Sequence, residues 1–328
     1  MRKLWISMMA AVCGLAMAAS TAAAQVSKVR VANGTTLDIL TVPDVRTFEH
    51  FLKRDKGIDS EVTYLPGAVR AIQAIITDQA DVGIATLNAG LAAVLQGQDI
   101  VVFALASGAR PYLVLTAHND VRELKDLIGK TVGVIALVDS TYYLPVMQMR
   151  KAGVDINQVR WQPVGGGAGR GNALISGGVQ AAAFQVAQAL DLESKGPYHV
   201  MNPPKEQEDF IFKAFWAKRS FLEKNPDLAT AIVKAHLEAT REALDKPAFI
   251  KIAAPQLAPM KEDVVSRAYD ILLKMGVWDP NDALLNKKAG EYTVAEMVRY
   301  GVIAKSVPFE TWATDRFVKA AVAELGAK

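Results

Sequence analysis

The sequence predicts an α/β protein of two similar lobes, each a mainly parallel sheet flanked by helices. Residues 62–88 and 159–185 repeat one pattern: a short β-type run, a turn containing Pro or Gly, an Ala/Ile/Leu-rich helical run, and a second apolar strand. Strands that alternate with helical segments favour βαβ units and parallel pairing. About 300 residues remain after a predicted leader, which is enough chain for two domains.

The first segment, residues 1–24, is typical of a secretory signal peptide. A basic start at residues 2–3 precedes an apolar run at 4–18 and a small-residue cleavage site at 22–24. The mature chain is therefore expected to begin at Gln25 or within a residue or two of it. The apolar run is too short to span a bilayer, although an uncleaved anchor remains the alternative.

Charge and composition exclude several classes of partner. The chain has 37 Lys and Arg against 34 Asp and Glu, and removal of the two basic leader residues leaves a formal charge near +1. No basic stripe stands out, so nucleic acid is not expected as a partner. No later apolar run approaches the roughly 20 residues that a membrane span needs. Cys13 lies in the leader, so no disulfide or cysteine nucleophile is expected in the mature chain.

The elements of the first lobe follow from the apolar pattern. Strands are predicted at 28–33, 61–65, 81–85 and 100–106, with helices at 45–53, 71–76 and 89–96. The repeat aligns Pro66 with Pro163 at an offset of 97 and Ile76 with Ile175 at 99, so two extra residues are predicted in the glycine run of the second copy.

The rest of the chain is interpreted as a second lobe followed by helices. Residues 112–117 and 213–217 are apolar strands assigned to the two crossings between lobes. Between them lie a strand at 131–135, a helix at 142–151, the second repeat copy and a strand at 198–201. Helices are then predicted from Asn225 onward, at 261–275, at 293–300 and at 309–325. The predicted boundaries are 25–114 with 215–328 for lobe 1, and 115–214 for lobe 2.

Three segments, DVGIATLNAGLAAVLQGQDI, GKTVGV and FLEKNPDLATAIVKAHLEA, resemble the periplasmic substrate-binding proteins of ABC importers. The most similar group includes the nitrate, sulfonate, taurine and thiamine-precursor binders, and the similarity covers nearly all of the mature chain in order. The resemblance implies a type II periplasmic-binding-protein fold, with two lobes joined by two crossing strands. It also implies a monomer in the periplasm that holds a small molecule between its lobes and delivers it to a membrane permease with its ATPase.

The candidate ligand-binding residues follow from the predicted strand ends. In open parallel sheets, ligands bind beyond the carboxyl ends of the strands, where helix N-termini present free N–H groups. The residues predicted there are Gly34, Leu37, Pro66, Gly67, Thr86, Leu87, Asn88, Gly108, Arg110, Asp139, Ser140, Thr141, Tyr142, Gly166, Gln185 and Trp216. Thr86, Asn88, Ser140 and Thr141 have an alternative role as helix caps. Tyr142 and Trp216 have an alternative place in the core.

Nucleotide, metal and catalytic sites are disfavoured. The run at 165–171 has Arg170 at the third glycine place of a dinucleotide fingerprint, and Asn172 stands where a phosphate loop needs Lys. The four histidines are isolated, and no nucleophile elbow or HExxH helix occurs. A flexible ligand-lining turn is therefore favoured for the glycine run, and no cofactor is expected. The alternative function is an exported enzyme on the same scaffold, similar to a thiamine-pyrimidine synthase.

The predicted ligand is a small organic anion, either a sulfonate or a carboxylate. Helix N-termini carry the positive ends of helix dipoles, and several are predicted around one cleft, notably after Thr86 and Ser140. Arg110 would add a charge-assisted pair, and either Tyr142 or Trp216 would cover an apolar portion. A neutral heterocycle that uses the same donors is the opposing interpretation.

Overall fold

The computed structural model of the 328-residue chain describes residues 26–35, 37–107, 113–137, 139–201, 210–278 and 285–326. The predicted leader lies outside these residues. The strands are β1 Lys28–Asn33, β2 Asp59–Tyr64, β3 Val82–Thr86, β4 Ile100–Leu105, β5 Leu113–His118, β6 Thr131–Val134, β7 Arg160–Pro163, β8 Ala181–Gln185, β9 Tyr198–Val200 and β10 Lys213–Lys218.

The α-helices alternate with these strands in both lobes and then continue alone. They are α1 Val42–Arg46, α2 Lys53–Lys56, α3 Ala68–Ile76, α4 Leu87–Leu95, α5 Ser140–Lys151, α6 Gly167–Ile175, α7 Val186–Lys195, α8 Arg219–Lys224, α9 Pro226–Ala243, α10 Lys246–Gln256, α11 Glu262–Lys274, α12 Lys287–Arg299, α13 Phe309–Trp312 and α14 Arg316–Leu325. A π-helical stretch, Thr47–Leu52, joins α1 to α2.

Two five-stranded sheets have the same topology. The order is β2-β1-β3-β10-β4 in lobe 1 and β7-β6-β8-β5-β9 in lobe 2. In each sheet one strand, β10 or β5, runs antiparallel to both of its neighbours, while the other pairs are parallel. The predicted fold class, two mainly parallel sheets flanked by helices, is confirmed.

The two strands that the sequence assigned to the crossings are members of single sheets. Strand β5 pairs with β8 and β9 of lobe 2, and β10 pairs with β3 and β4 of lobe 1. Strands β5 and β10 begin opposite the carboxyl ends of β8 and β3, at Gln185 and Thr86. The connection from lobe 1 to lobe 2 therefore lies between β4 and β5 in the chain, and the return connection lies between β9 and β10. Because β5 begins at Leu113 and β10 at Lys213, strand pairing favours lobe boundaries at 113 and 213, two residues before the predicted 115 and 215.

The repeat keeps a constant offset of 99 residues from the second strand of each lobe onward. Val62 and Trp161 hold matching registers, as do Val82 and Ala181. Helices α3 and α6 also begin 99 residues apart, as do α4 and α7. The predicted two-residue insertion is therefore wrong, because Pro163 ends a strand whereas Pro66 follows one.

Helix bounds differ from prediction where local chemistry interrupts a pattern. The helix predicted at 309–325 is two helices, because Ala313 turns into extended backbone and forms a β-bridge with Val102. Helix α12 begins six residues earlier than predicted, where Asn286 caps it through hydrogen bonds from the backbone N–H groups of Lys288 and Ala289. Helices α8 and α10 were not predicted.

Helix α11 contacts both lobes. It packs against α10 and, in lobe 2, against α7. An ion pair between Arg267 and Glu193 at 3.3 Å lies on that contact. No helix in the described ranges is both long and apolar enough to cross a membrane.

Candidate ligand-binding cleft

A cleft of about 580 Å³ lies between the two sheets at the carboxyl ends of their parallel strands. Both lobes contribute to its wall, which is where a ligand is expected in a fold of this topology. The lining residues are Gly34, Thr35, Leu37, Tyr64, Leu65, Pro66, Gly67, Ala68, Thr86 and Phe212 from lobe 1, and Ile135, Asp139, Ser140, Thr141, Gly166, Arg170, Gln185 and Gln188 from lobe 2.

Many of the predicted residues come together in this one cleft. Those that line it are Gly34, Leu37, Pro66, Gly67, Thr86, Asp139, Ser140, Thr141, Gly166 and Gln185. They come from six different strand-to-helix junctions, those after β1, β2, β3, β6, β7 and β8, although they are far apart in sequence. Gly108 and Arg110 lie outside the described residues.

Four predicted residues do not line the cleft. The Trp216 side chain is 0% exposed, and its indole lies against Gly90 in the lobe 1 core, because β10 is central in the sheet and buried on both faces. Leu87 and Asn88 are also buried, since the first turn of α4 points inward. Tyr142 packs edge-on against Trp161 at 4.9 Å and is not among the residues that line the cleft. In this structure the four residues therefore lie outside the cleft wall, and their contact with a ligand stays a prediction.

Five helices, each at least nine residues long, begin at the cleft. Of these, α3, α4, α6 and α7 have no side-chain cap. The N–H of Leu87, at the start of α4, instead donates to the Phe212 carbonyl at 2.9 Å. A Cβ on Gly34 would lie 2.6 Å from the Ala68 Cα, so only glycine lets the β1 loop approach the start of α3. The cleft wall is thus made largely of backbone with exposed positive dipole ends.

Asp139 caps the fifth helix, α5. Its Oδ1 accepts hydrogen bonds from the Thr141 backbone N–H at 2.9 Å and from the Thr141 hydroxyl at 2.8 Å. The Thr141 hydroxyl oxygen also accepts from the Ile135 N–H at 2.8 Å. The residue that caps α5 is therefore Asp139, whereas Ser140 and Thr141 lie in the first turn of the helix, and the dipole of α5 offsets part of the negative charge of Asp139. Ser140 Oγ lies 3.5 Å from Asp139, too far for a strong bond.

Arg170 is a buried cation in the lobe 2 wall. It is 4% exposed, although it lines the cleft. Its Nε donates to the Ala183 carbonyl at 2.9 Å, its Nη1 donates to the Gly165 carbonyl at 3.0 Å, and its guanidinium lies over the Phe184 ring. Burial lowers its pKa to about 10, with the Asp139 charge acting in the opposite direction. The group is therefore charged at neutral pH, and among the described residues no carboxylate forms a salt bridge with it.

Two glutamines at the start of α7 line the same wall as Arg170, Gln185 at the N-cap position and Gln188 in the first turn. Gln185 is 7% exposed, and its Oε1 is buried without a hydrogen-bond partner among the described residues. The Gln188 amide lies over the start of α6, where a Cβ on Gly167 would meet it at 3.0 Å. Lobe 2 thus presents one cation and two amides to the cleft.

The lobe 1 wall carries no charged side chain among its described residues. Leu37, Leu65, Pro66 and Phe212 give it an apolar character. The hydroxyl of Thr35 is engaged, because it donates to Asn33 Oδ1 at 2.6 Å. This wall can cover a hydrocarbon portion of a ligand but offers it few free polar groups.

Charged groups of lobe 1 lie behind this wall instead. Lys213 Nζ donates to Asp44 Oδ2, and both side chains are 0% exposed. Burial raises the pKa of Asp44 to about 6, with Lys213 acting in the opposite direction, and burial likewise raises the pKa of Asp38 to about 6. Burial and the Lys213 charge lower the pKa of His236 to about 3, so this ring is neutral.

The residues predicted from the sequence did not include Tyr64, Phe212 or Gln188. Arg170 was expected near a strand end that faces the cleft, but a solvated charge was favoured for it. The run at 165–171 was interpreted as a flexible turn, but its Gly167 begins α6, and this places Arg170 on the inner side of a helix. The repeat offset contained the missing signal, because it aligns Arg170 with the buried Ala71 of α3. The described residues contain no group of His, Cys, Asp and Glu that could hold a metal ion.

Comparison with known proteins gives the same architecture. The NMT1/THI5 like family model matches residues 53–249. A protein structure from Bordetella bronchiseptica RB50 is 21% identical with a TM-score of 0.75, and the alignment covers 91% of this chain and 98% of that one. The alkanesulfonate-binding protein SsuA from Xanthomonas axonopodis pv. citri, bound to MOPS, is 16% identical with a TM-score of 0.72, covering 88% and 99%.

The periplasmic nitrate-binding protein NrtA from Synechocystis PCC 6803 is 12% identical with a TM-score of 0.74, covering 92% of this chain and 90% of that one. No curated protein sequence matches the chain. At these identities the structural likeness shows the fold, which is that of the solute-binding components of ABC importers.

Proposed function

Because the chain belongs to the NMT1/THI5-like family, we propose that it is a periplasmic solute-binding protein that captures a small organic anion, a sulfonate or a carboxylate, between its two lobes. It then delivers this anion to an ABC permease and its ATPase. The protein acts as an exported monomer after cleavage of residues 1–24, and it catalyses no reaction.

The observation that carries this proposal is Arg170. A guanidinium is seldom buried without a carboxylate, because removal of a charge from water must be offset by a partner. Here the two recorded partners are backbone carbonyls, and the side chain lines the cleft. A ligand anion would complete this environment through charge-assisted hydrogen bonds.

The helix ends support the same ligand class. Four helices without side-chain caps begin at the cleft, at Ala68, Leu87, Gly167 and Val186. Each N-terminus favours an anion by about 0.3–1 kcal/mol when exposed, and by up to about 2 kcal/mol when partly buried. Asp139 is the one acidic residue among the described lining residues, and it is committed to capping α5.

The names of two structural neighbours support an anionic ligand, since one is an alkanesulfonate-binding protein and the other a nitrate-binding protein. The residues proposed to contact the ligand are Gly34, Leu37, Pro66, Gly67, Thr86, Ser140, Gly166, Arg170, Gln185 and Gln188. Closure of the two lobes on each other would bury the ligand.

Calorimetry on the purified mature protein tests the proposal. The ligand panel pairs linear sulfonates and carboxylates with neutral amides of the same chain length. We expect the anions to bind more tightly than the amides, and Arg170→Gln to weaken anion binding by about 1.5–3 kcal/mol. Arg160→Gln is the matched control, because Arg160 is exposed in the same lobe and does not line the cleft.

Two results would overturn the proposal. Tighter binding of the neutral amides, or equal anion affinity in the Arg170 and Arg160 variants, would remove the anion assignment. Conversion of a bound compound to a new product, followed by mass spectrometry over many equivalents, would replace the transport role with an enzymatic one.

A further inference from the structure

The amide of Gln185 is the least satisfied polar group in the described cleft wall. The residue is 7% exposed, and its Oε1 is buried without a hydrogen-bond partner. A buried acceptor without a donor destabilises the folded chain, so buried polar groups of this kind are uncommon unless something else completes them. Because the residue also lines the cleft, rotation of its amide about the side-chain torsions would bring this oxygen to a ligand.

The Gln185 amide does not cap the helix that follows it. Gln185 stands at the N-cap position of α7, yet its side chain makes no capping bond. The equivalent residue in lobe 1, 99 positions earlier, is Thr86, whose hydroxyl is not among the unpartnered buried atoms. The unpaired oxygen is therefore a property of lobe 2, where Arg170 also lies.

Resting on the proposed function, we infer that the captured anion also carries a neutral N–H group, such as an amide, which donates a hydrogen bond to Gln185 Oε1. The anionic end binds Arg170 and the adjacent helix N-termini. The N–H group is attached to the short carbon chain that bears the anionic group, so both ends of the ligand can contact the lobe 2 wall. The ligand class is thus an N-acylated or similarly N–H-bearing sulfonate or carboxylate.

A free amine does not fit this position. Arg170 Nε is bonded to the Ala183 carbonyl, two residues before Gln185 on β8, so the two groups lie roughly 7 Å apart along the strand. An ammonium beside Gln185 would face this buried cation and the positive end of α7. A neutral N–H donor satisfies the oxygen without that repulsion.

Two matched probe sets test the inference by calorimetry. The sulfonate set is N-acetyltaurine, its N-methyl derivative and taurine, and the carboxylate set is N-acetyl-β-alanine, its N-methyl derivative and β-alanine. In at least one set we expect the N-acetyl compound to bind about tenfold more tightly than both the N-methyl compound and the free amine.

Variants of Gln185 test whether this side chain causes the preference for the N-acetyl over the N-methyl compound. Gln185→Leu is expected to bring the N-acetyl and N-methyl affinities together, while Gln162→Leu on the exposed face of β7 leaves them apart. Gln185→Glu places a charged acceptor there and is expected to shift preference toward the free amine. Thermal unfolding of each variant checks that it is folded. If Gln185→Leu is unfolded, the ligand preference of Gln185→Glu supplies the second readout.

The outcomes separate this inference from the proposed function. If the wild type binds the anions but does not distinguish N-acetyl from N-methyl compounds, the inference is wrong and anion capture stands. The same holds if plain alkanesulfonates bind and neither probe set does. If no anion of any kind binds, both fail.

Discussion

The two lobes share one sheet topology but place their buried cations differently. In lobe 1, Lys213 is paired with Asp44 behind the cleft wall, and neither side chain is exposed. In lobe 2, Arg170 lies in the cleft wall itself, bonded to carbonyl groups and without a salt bridge among the described residues. A paired buried cation contributes to structure, whereas one without a carboxylate at a cleft is available to a ligand.

The residues at equivalent positions of the two lobes differ in polarity. At the constant offset of 99 residues, Arg170 corresponds to Ala71, and Gln185 corresponds to Thr86. The backbone frame sets where a side chain lies, and the residue type at that place sets what it can bind. We therefore expect lobe 2 to hold the polar end of a ligand and lobe 1 to cover its hydrocarbon part.

The largest expected effect is on stability, and it belongs to lobe 1. Asp44→Asn should lower the free energy of unfolding by about 3–5 kcal/mol, because it leaves the Lys213 charge buried without its carboxylate. Arg170→Gln should lower it by only about 1 kcal/mol, since that change removes hydrogen bonds but leaves no charge unpaired. Urea denaturation measures both.

Asp99→Asn is the control for that comparison, because its ion pair with Arg219 is exposed and should contribute less than about 1 kcal/mol. Equal destabilisation by the Asp44 and Arg170 variants would contradict the contrast between the lobes.

The pH dependence should separate stability from binding. The pKa of His236 is about 3 in the folded chain against 6.5 unfolded, so between these values the unfolded state binds the extra proton. His236 therefore contributes a loss of stability as pH falls, by at most about 1.4 kcal/mol per pH unit. Asp38 and Asp44, with pKa values raised from 3.8 to about 6, contribute in the opposite direction between pH 6 and 3.8.

Two measurements test these directions of change with pH. The stability difference between wild type and His236→Gln should shrink as pH falls from 7 to 4, and parallel curves would show that the ring titrates normally. Sulfonate affinity should stay constant from pH 6 to 8, because the pKa of Arg170 is about 10. A change in affinity across that range would show that a group other than Arg170 dominates binding.

A smaller effect on binding than that of Arg170→Gln is expected for the apolar wall of lobe 1. Leu37→Ala should weaken hexanesulfonate binding by about 1–2 kcal/mol, because it removes apolar surface that would cover the alkyl chain. Methanesulfonate binding should hardly change. Ile135→Ala in lobe 2 is the matched control, and an equal loss in both variants would show that the hydrocarbon part is not confined to lobe 1.

The fold and most of the cleft were predictable because their signals are periodic or positional. Strand β1 was predicted to the residue, and Gly67, Thr86 and Gln185 were found from strand ends. Arg170 was favoured as a solvated charge because a glycine-rich run has poor helix propensity, and tertiary packing overrode that propensity at Gly167. Trp216 was misplaced because an apolar strand pattern does not tell which strand is central and buried on both faces.

A crystal structure of the protein with 2-bromoethanesulfonate tests the contrast between the lobes most directly. Anomalous scattering locates bromine and sulfur independently, so the orientation of the ligand is read without interpretation of the side chains. The account predicts sulfonate oxygens at about 3 Å from the Arg170 guanidinium, with bromine toward Leu37 and Phe212 of lobe 1. Sulfur on the lobe 1 side, with bromine against Arg170, would contradict it.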